Sequence, residues 1–328
     1  MHFKDFQPFS KVSALTLGGG GIGQVWGETT REESIKTVHA ALEHGINHFD
    51  VAPMYGRGEA ERVLGESLQG KQKDDLFFTT KCQLGTLPDD QVYDKLNASL
   101  SKSLENMGLE KVNLFLLHSQ LIEDDCKLFQ FDELRAKSTT TLSCFFNSVI
   151  PAFERLQQEG KIDHWGIGGV GQEEAIKQAL AHDKPPSAVQ CVVNLLNSAG
   201  AIGYVSENFD PNSVLSACQN HNIPILAIRA VQAGALTSSM DRKPHASGFD
   251  KRDFEDFELA KPFRNLANDW HVSPASLAHR YALSIQDVAS VILGVKNRKE
   301  LLECLEAESQ GILSKVEIQQ IENCIKEG

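Results

Sequence analysis

The sequence predicts a single (β/α)8 barrel domain over residues 1–328, and three observations lead to this prediction. Short apolar segments recur about eight times, with helix-like segments between them. The strand segments are mostly apolar rather than alternating, which is typical of strands covered on both faces. No linker or change of composition divides the chain. The predicted strands are VSALTLGG (12–19), NHFDVA (47–52), LFFTTKC (76–82), VNLFLLH (112–118), HWGIGG (164–169), AVQCVVN (188–194), PILAIRA (224–230) and ASVILGV (289–295).

Capping signals mark the helices between these strands. Thr30 and Glu33 form a capping box in front of an apolar stripe at helical spacing. Ser314 and Glu317 predict the start of the last helix in the same way. The alternation of strands and capped helices supports the barrel prediction.

Two connections exceed the usual length of about 2–6 residues. They cover residues 119–146, after the fourth strand, and residues 237–257, after the seventh. Both follow a strand, on the face where barrels of this type carry their sites, so we expect lids or binding loops. Phe129, Phe131 and Phe145 either wall a pocket or pack the first loop onto the barrel, and we favour packing. A better candidate for a pocket wall is Trp26, which follows the first strand at the same mouth.

Composition argues against several classes of function. The net charge of −12 argues against nucleic-acid binding, since no strongly basic region is present. No apolar run of about 18 residues occurs, so we predict no membrane span, and the first residues lack the apolar core of a signal peptide. The seven cysteines are scattered without a CxxC pair, which predicts free thiols and a cytoplasmic location.

Two glycine-rich stretches match the G-x-G-x-x-G pattern, at 18–23 and 166–171. A Rossmann fold places this motif after its first strand, whereas the second copy follows about the fifth strand and the first copy lacks an immediate helix. We therefore interpret both as close backbone approaches at strand ends. His44 and His48 have the spacing of a metal pair, but Gly45 and the strand-like surroundings of His48 argue against a metal site.

Polar side chains stand at the ends of consecutive predicted strands. Asp50 ends the second strand, Tyr55 follows on its loop, Lys81 lies on the third strand and His118 ends the fourth. Because the carboxyl ends of barrel strands surround one mouth, we expect these four side chains to share a cleft. Further polar residues on the later strands are Gln190, Asn194, Arg229 and Lys296.

This set is suited to proton transfer. A free tyrosine has a pKa of about 10, and the nearby ammonium of Lys81 would lower it by favouring the phenolate. Asp50 would hold Lys81 protonated, and His118 would donate a hydrogen bond to a substrate oxygen. The set contains no strong nucleophile, so it predicts a site that adds hydride to a C=O group. Cys82 would face the helix layer, because neighbouring strand residues point to opposite sides.

The chain resembles the aldo-keto reductase family from about residue 12 to 308. The resemblance implies a (β/α)8 barrel that binds NADP(H), sometimes NAD(H), in extended form. The matching stretches are GINHFDVAPMYGRGEAERVLG (45–65), TTKC (79–82), VNLFLLHS (112–119), QEGKIDHWGIG (158–168), VQCVVNLL (189–196), GALT (234–237) and VILGVKNRKEL (291–301).

The resemblance also implies roles for individual residues. Tyr55 would be the general acid in reduction and the base in oxidation. Lys81, paired to Asp50, would tune Tyr55, and His118 would orient the carbonyl. Gln190 matches the position that binds the nicotinamide carboxamide.

The cofactor half of the predicted site departs from the family pattern. Gly169, with Gly168 before it, occupies the place of a Ser-Asn pair whose Asn also grips the carboxamide. Ile228 and Arg229 occupy the place of an aromatic residue and a serine at the end of the seventh strand. An arginine there would pair with the cofactor pyrophosphate or with a substrate anion.

The stretch after the eighth strand matches the part of the family that holds the adenosine phosphates. Lys296 and Arg298 would meet the 2′-phosphate of NADP, whereas Glu300 would accept a ribose hydroxyl of NAD. Glu300 and Cys304 replace residues that are common in the family. We predict NADP(H) as the preferred cofactor and keep NAD(H) as the alternative.

The sequence therefore predicts an NAD(P)(H)-dependent oxidoreductase acting on a small carbonyl or alcohol substrate. One alternative is an NAD-dependent dehydrogenase of aldoses or sugar alcohols. A second is a cofactor-sensing regulatory subunit bound to another protein. The sequence leaves the physiological substrate, the direction of the reaction and the oligomeric state open.

Overall fold

The computed structural model describes residues 1–127, 137–206 and 208–326. Eight parallel strands close into a barrel, following one another in chain order around the ring. Each predicted strand segment overlaps one of them, with the strands near 162 and 288 beginning one or two residues earlier than predicted, so the prediction of a (β/α)8 barrel is confirmed. The barrel strands are β3 (Leu15–Gly18), β4 (His48–Asp50), β5 (Phe77–Cys82), β6 (Val112–Leu117), β9 (Ile162–Gly168), β10 (Val189–Val192), β11 (Ile225–Ile228) and β12 (Val288–Leu293). The ring closure excludes a Rossmann fold.

Helices cover the outside of the barrel. Apolar side chains such as Val38, Leu64 and Leu100 fill the layer between helices and strands, while Leu116 and Leu226 belong to the cluster inside the ring. Burying both faces of each strand explains the nearly continuous apolar runs in the sequence. The helices are α1 (Gly19–Ile22), α2 (Arg31–Glu43), α3 (Glu59–Ser67), α4 (Asp89–Met107), α5 (Leu142–Cys144), α6 (Ile150–Gln158), α7 (Glu173–Leu180), α8 (Pro211–Asn220), α9 (Lys251–Leu259), α10 (Lys261–Asp269), α11 (Pro274–Ser284), α12 (Arg298–Ser309) and α13 (Lys315–Lys326).

The first predicted strand is two elements. Strand β2 (Lys11–Ser13) pairs antiparallel with β1 (Phe3–Asp5), and only β3 joins the barrel. The hairpin carries Phe6 and Phe9, which stack at 4.5 Å between ring centroids and contact Phe77 of β5. The hairpin thereby closes the amino end of the barrel with aromatic side chains.

Both long connections contain regular structure. The first includes β7 (Gln120–Ile122) and β8 (Thr139–Thr141), which pair in parallel, and it continues into a π-helical turn, Phe145–Val149. Phe145 is fully buried against Trp165, as the packing interpretation predicted, while Phe129 and Phe131 lie outside the described residues. The second connection leads into α9.

The two predicted capping boxes differ in the structure. Ser314 and Glu317 form the full box, with Ser314 N donating to Glu317 Oε2 at 2.7 Å and Glu317 N donating to Ser314 Oγ at 3.3 Å. Thr30 Oγ1 accepts from Glu33 N at 3.1 Å, but the Glu33 carboxylate binds Arg298 instead. The carboxylate at this helix start is therefore engaged in a long-range ion pair.

Cys82 packs in the cluster between barrel and helices, as its position beside Lys81 predicted. Over the part of the chain that the structure describes, no helix has the length and apolar character needed to cross a membrane.

Candidate active site

The carboxyl ends of β4, β5 and β6 bring the predicted catalytic side chains together. Asp50 is the last residue of β4, Lys81 lies near the end of β5, and His118 directly follows β6. In the sheet register Asp50 lies beside Thr79, and Lys81 beside Leu116. Residues far apart in the sequence therefore surround one mouth of the barrel.

Lys81 connects the members of this group. Its ammonium donates to Asp50 Oδ1, to the Tyr55 hydroxyl at 3.3 Å and to the Val51 carbonyl oxygen at 3.3 Å, so all three of its N–H groups are used. The side chains of Lys81 and Asp50 are 1% and 2% exposed, and each charge would be costly to bury without the other. Gln190 Nε2 donates to the second carboxylate oxygen of Asp50 at 2.5 Å. The ion pair is thus held from two sides.

The rings of Tyr55 and His118 meet edge to face. Their centroids are 5.9 Å apart and their planes lie at 87°. Lys81 Nζ lies 4.9 Å from the centroid of the Tyr55 ring. The structure therefore brings Asp50, Tyr55, Lys81 and His118 together as the sequence predicted.

The charges of the buried pair support each other. Burial raises the pKa of the Asp50 carboxyl, and the charge and hydrogen bond of Lys81 offset part of that rise. Burial lowers the pKa of Lys81, but the charge of Asp50 and the contact with Tyr55 outweigh burial and raise it overall. Lys81 is therefore held as an ammonium beside the Tyr55 hydroxyl.

Tyr55 and His118, the other two members of the group, are uncharged near neutral pH. Burial raises the pKa of Tyr55 and the Asp50 charge raises it further, which together outweigh the lowering by Lys81. Lys81 lowers the pKa of Tyr55, as the sequence predicted, but burial and Asp50, which the sequence analysis did not weigh, raise it overall. Burial, and to a smaller extent the charge of Lys81, lower the pKa of His118 to about 3. Near neutral pH the site thus offers a phenol and a neutral imidazole.

A polar layer that sequence reasoning missed lies directly below the ion pair, two residues earlier on each strand. His48 is fully buried, and its ring nitrogens contact Thr16 Oγ1 and Thr79 Oγ1, each at 2.8 Å. Ser290 Oγ extends this chain to Thr16 at 2.6 Å. Burial and the charge of Lys81 lower the pKa of His48 to about 3. The alternation of side chains places His48 below Asp50 and Thr79 below Lys81, and that alternation was the available sequence signal.

Two residues predicted to bind the cofactor are packed closely against the barrel. Gly169 N donates to Gln190 O at 2.9 Å, and a Cβ at Gly169 would lie 2.9 Å from Val189 Cγ1. An asparagine at this position, as in the family pattern, would require a shift of its surroundings. Ile228 packs on the apolar cluster that includes Val192. Their roles toward a cofactor stay predictions.

Arg229 is engaged in a buried ion pair. Its Nη2 contacts Asp253 Oδ1 at 2.5 Å and its Nε donates to Gln232 Oε1 at 2.8 Å. Arg242 Nη2 contacts the other oxygen of Asp253 at 2.9 Å. The Arg229 side chain is 7% exposed. Arg229 therefore fastens the 237–257 connection to the barrel, and its contact with a pyrophosphate or substrate anion stays a prediction.

The charged stretch after β12 is also paired internally. Lys296 Nζ contacts Asp241 and Glu300, and Arg298 contacts Glu33. Neither Asp241 nor Glu33 was predicted to lie here, and both come from other loops or helices.

Trp26 covers glycines at the mouth, since a Cβ at Gly20 would lie 2.4 Å from Trp26 Nε1.

At the opposite, amino end of the barrel a cavity of about 490 Å³ is lined by residues including Lys111 and His164, and it contains none of the four grouped side chains. Among the described residues, no group of three or more His, Cys, Asp or Glu side chains is arranged to hold a metal ion.

A parallel barrel with a phenol, a buried ammonium–carboxylate pair and a neutral imidazole at its carboxyl end defines an oxidoreductase of carbonyls and alcohols. The chain belongs to the aldo/keto reductase family, whose family model matches residues 14–326. The match confirms the family resemblance noted in the sequence.

Individual relatives and structures extend over almost the whole chain. An uncharacterized oxidoreductase of Bacillus subtilis (strain 168) is 26% identical over 331 residues, covering 96% of this chain and 95% of the relative. L-galactose dehydrogenase of Arabidopsis thaliana is 24% identical and covers 92% of this chain and 85% of the relative. The solved structure of an aldo/keto reductase from Klebsiella pneumoniae, in complex with NADP and acetate, has a TM-score of 0.67 at 21% identity and covers 98% and 94%.

Proposed function

We propose that this oxidoreductase reduces aldehydes or ketones, with Tyr55 as the general acid. One observation supports this most strongly: Lys81 Nζ contacts both the Asp50 carboxylate and the Tyr55 hydroxyl. A phenol in hydrogen-bond contact with a buried ammonium can release its proton, because the ammonium stabilises the phenolate that remains.

Each member of the group has a distinct task in this proposal. Tyr55 Oη donates its proton to the carbonyl oxygen as that oxygen gains charge. Lys81 stabilises the phenolate, and Asp50 keeps Lys81 charged and directed at Tyr55. His118, neutral, donates an N–H to the same substrate oxygen and polarises the carbonyl. The nicotinamide cofactor, when bound, supplies the hydride.

The residues at the mouth fit a nicotinamide cofactor. Gln190 uses its amide N–H on Asp50, and its amide oxygen accepts no hydrogen bond from the residues that the structure describes, so the oxygen is available to the carboxamide N–H₂. The sequence pattern predicts NADP(H), and the Klebsiella protein was solved with NADP. The carboxylates paired with Lys296 and Arg298 favour the alternative, NAD(H), over that prediction. Free thiols at all seven cysteines support a cytoplasmic location.

The reverse reaction is the second candidate. The raised pKa of Tyr55 keeps its phenol protonated near neutral pH and makes the phenolate a strong base once it forms, so oxidation of an alcohol would require higher pH. The relation to L-galactose dehydrogenase supports a sugar or polyol as the substrate in that direction.

A substrate panel tests the proposal. Purified protein is assayed with NADPH and NADH against short aldehydes, ketones and 2-oxoaldehydes, and with NADP⁺ and NAD⁺ against aldoses and polyols. We expect reduction near neutral pH and oxidation only at alkaline pH. Turnover of none of these compounds in either direction, by protein that binds a dinucleotide, would contradict the proposed reaction.

A further inference from the structure

If the proposed function holds, the residues after β12 determine how the adenosine end of a dinucleotide binds. The family resemblance implies that residues 296–300 would hold the adenosine phosphates. NADP differs from NAD only by a phosphate on the adenosine 2′ oxygen. The charges that surround this stretch therefore decide between the two cofactors.

Lys296 is committed to two carboxylates. Its Nζ contacts Asp241, from the 237–257 connection, and Glu300 Oε1 at 3.0 Å. Glu300 Oε2 accepts from the Lys296 backbone N–H at 2.9 Å, which fixes the carboxylate in place. Only 17% of the Lys296 side chain is exposed. An approaching anion would therefore meet Asp241 and Glu300 together with the ammonium.

Arg298 is committed to Glu33. Its Nε and Nη2 donate to the two oxygens of the Glu33 carboxylate, each at 3.0 Å. The backbone N–H of Arg298, the first of α12, also donates to Glu33 at 3.1 Å. Helix N-termini and bidentate guanidinium groups are the donors that proteins use for phosphates. Here a carboxylate of the protein itself, from the start of α2, already binds them.

We propose that Glu33, assisted by Asp241 and Glu300, makes this chain select NAD(H) over NADP(H). A phosphate monoester carries nearly two negative charges at neutral pH. It would have to displace Glu33 from Arg298 and approach the carboxylates that neutralise Lys296. The 2′-hydroxyl of NAD brings no charge, and a carboxylate such as Glu300 accepts its hydrogen bond.

The remaining charges nearby do not reverse this balance. Lys299 is exposed and has no ion-pair partner within the described ranges. With it, the cations Lys296, Arg298 and Lys299 equal the carboxylates Asp241, Glu300 and Glu33 in number. The region is therefore neutral rather than positive. Glu32 pairs with Lys36 on the surface of α2, and Arg31 is held by Glu59. A strongly positive pocket, as a phosphate dianion requires, is not assembled from these residues.

Direct binding tests the proposal without turnover. Wild-type protein is titrated with NADH and with NADPH by calorimetry at low ionic strength, about 0.05 M. We expect NADH to bind at least about tenfold more tightly, a difference of about one decade in Kd. Raising the salt concentration should bring the Kd of NADPH closer to that of NADH, because screening weakens the repulsion between the 2′-phosphate and the carboxylates.

Glu33→Gln isolates the carboxylate charge. Glutamine keeps the length and an acceptor for Arg298 but loses the charge, so we expect NADPH to bind about fivefold more tightly and NADH to be unchanged. Glu32→Gln is the matched control. It lies on the same turn, is 78% exposed and pairs with Lys36, and its charge acts on Arg298 without a hydrogen bond, so the affinity for NADPH should change much less than in Glu33→Gln and the affinity for NADH should not change. Thermal unfolding of each variant checks that the fold is intact.

The outcomes separate the two proposals. Tighter binding of NADPH than NADH by the wild type, or a Glu33→Gln variant with an unchanged ratio of the two affinities, would overturn the role of Glu33 while leaving the reductase proposal in place. Failure of both dinucleotides to bind would overturn the proposed function itself.

Discussion

The pKa of His118 gives a prediction that separates its proposed task from that of a titrating acid. Burial and Lys81 lower this pKa from 6.5 to about 3. Each unit corresponds to about 1.36 kcal/mol, so protonating His118 in the folded protein costs up to about 5 kcal/mol more than in water. The figure is an upper bound, because the ring is only partly buried. A group whose pKa is lowered stays neutral between the two values, so His118 should be neutral at pH 5, where an exposed histidine is almost fully charged.

The assay is the pH dependence of kcat/KM for carbonyl reduction between pH 5 and 8.5. We expect no ionisation near pH 6.5 in this profile. His118→Asn keeps an N–H donor and cannot titrate, so it should lower the rate without changing the shape of the profile in this range. A limb with an apparent pKa of about 6–7 in the wild type, absent from His118→Asn, would refute the neutral role of His118.

Three further predictions concern the supporting residues. Lys81→Met leaves the Asp50 carboxylate buried without its counter-ion, so urea unfolding should show a loss of about 3–5 kcal/mol in the free energy of unfolding. A free energy of unfolding within about 1 kcal/mol of the wild type, the usual size of an exposed ion pair, would contradict the claim that this pair is buried. His48, neutral in the fold because its pKa is lowered to about 3, contributes stability that is complete above pH 6.5 and is lost as the pH falls toward 3; His48→Gln should make stability less dependent on pH in this window, and an identical dependence would count against it. Arg229→Ala leaves Asp253 with one partner fewer, so limited proteolysis should cut the 237–257 connection faster than in the wild type, and an equal rate would show that Arg229 does not fasten it.

Most of the fold could be predicted because each barrel strand is covered on both faces and therefore reads as a continuous apolar run. The exception is informative. The run at 12–19 is as apolar as the others, but Lys11–Ser13 turn away to pair with Phe3–Asp5. Nothing in a local pattern distinguishes a barrel strand from the strand of a hairpin that closes the barrel floor, since the choice depends on where Phe6 and Phe9 are buried.

The candidate site could be predicted in its positions but not in its balance of charges. Strand ends meet at one mouth, so Asp50, Lys81 and His118 could be grouped from chain order alone. The sign of the pKa shift of Tyr55 could not, because it depends on how deeply the phenol is buried. Long-range ion pairs were missed for a related reason: Glu33 had a complete local explanation as a capping residue, and only the tertiary fold brings Arg298 next to it.

The central claim is that Tyr55 delivers the proton, and single-turnover reduction by a Tyr55→Phe variant tests it most directly. The matched control is Tyr93→Phe, which removes a surface hydroxyl that donates to Glu159. Tyr93 has no part in the proposed proton transfer. We predict that Tyr55→Phe slows the chemical step by about 10²–10⁴-fold while the Kd of the reduced cofactor stays unchanged, and that Tyr93→Phe behaves as the wild type. A Tyr55→Phe variant that reduces its carbonyl substrate at the wild-type rate would contradict the account.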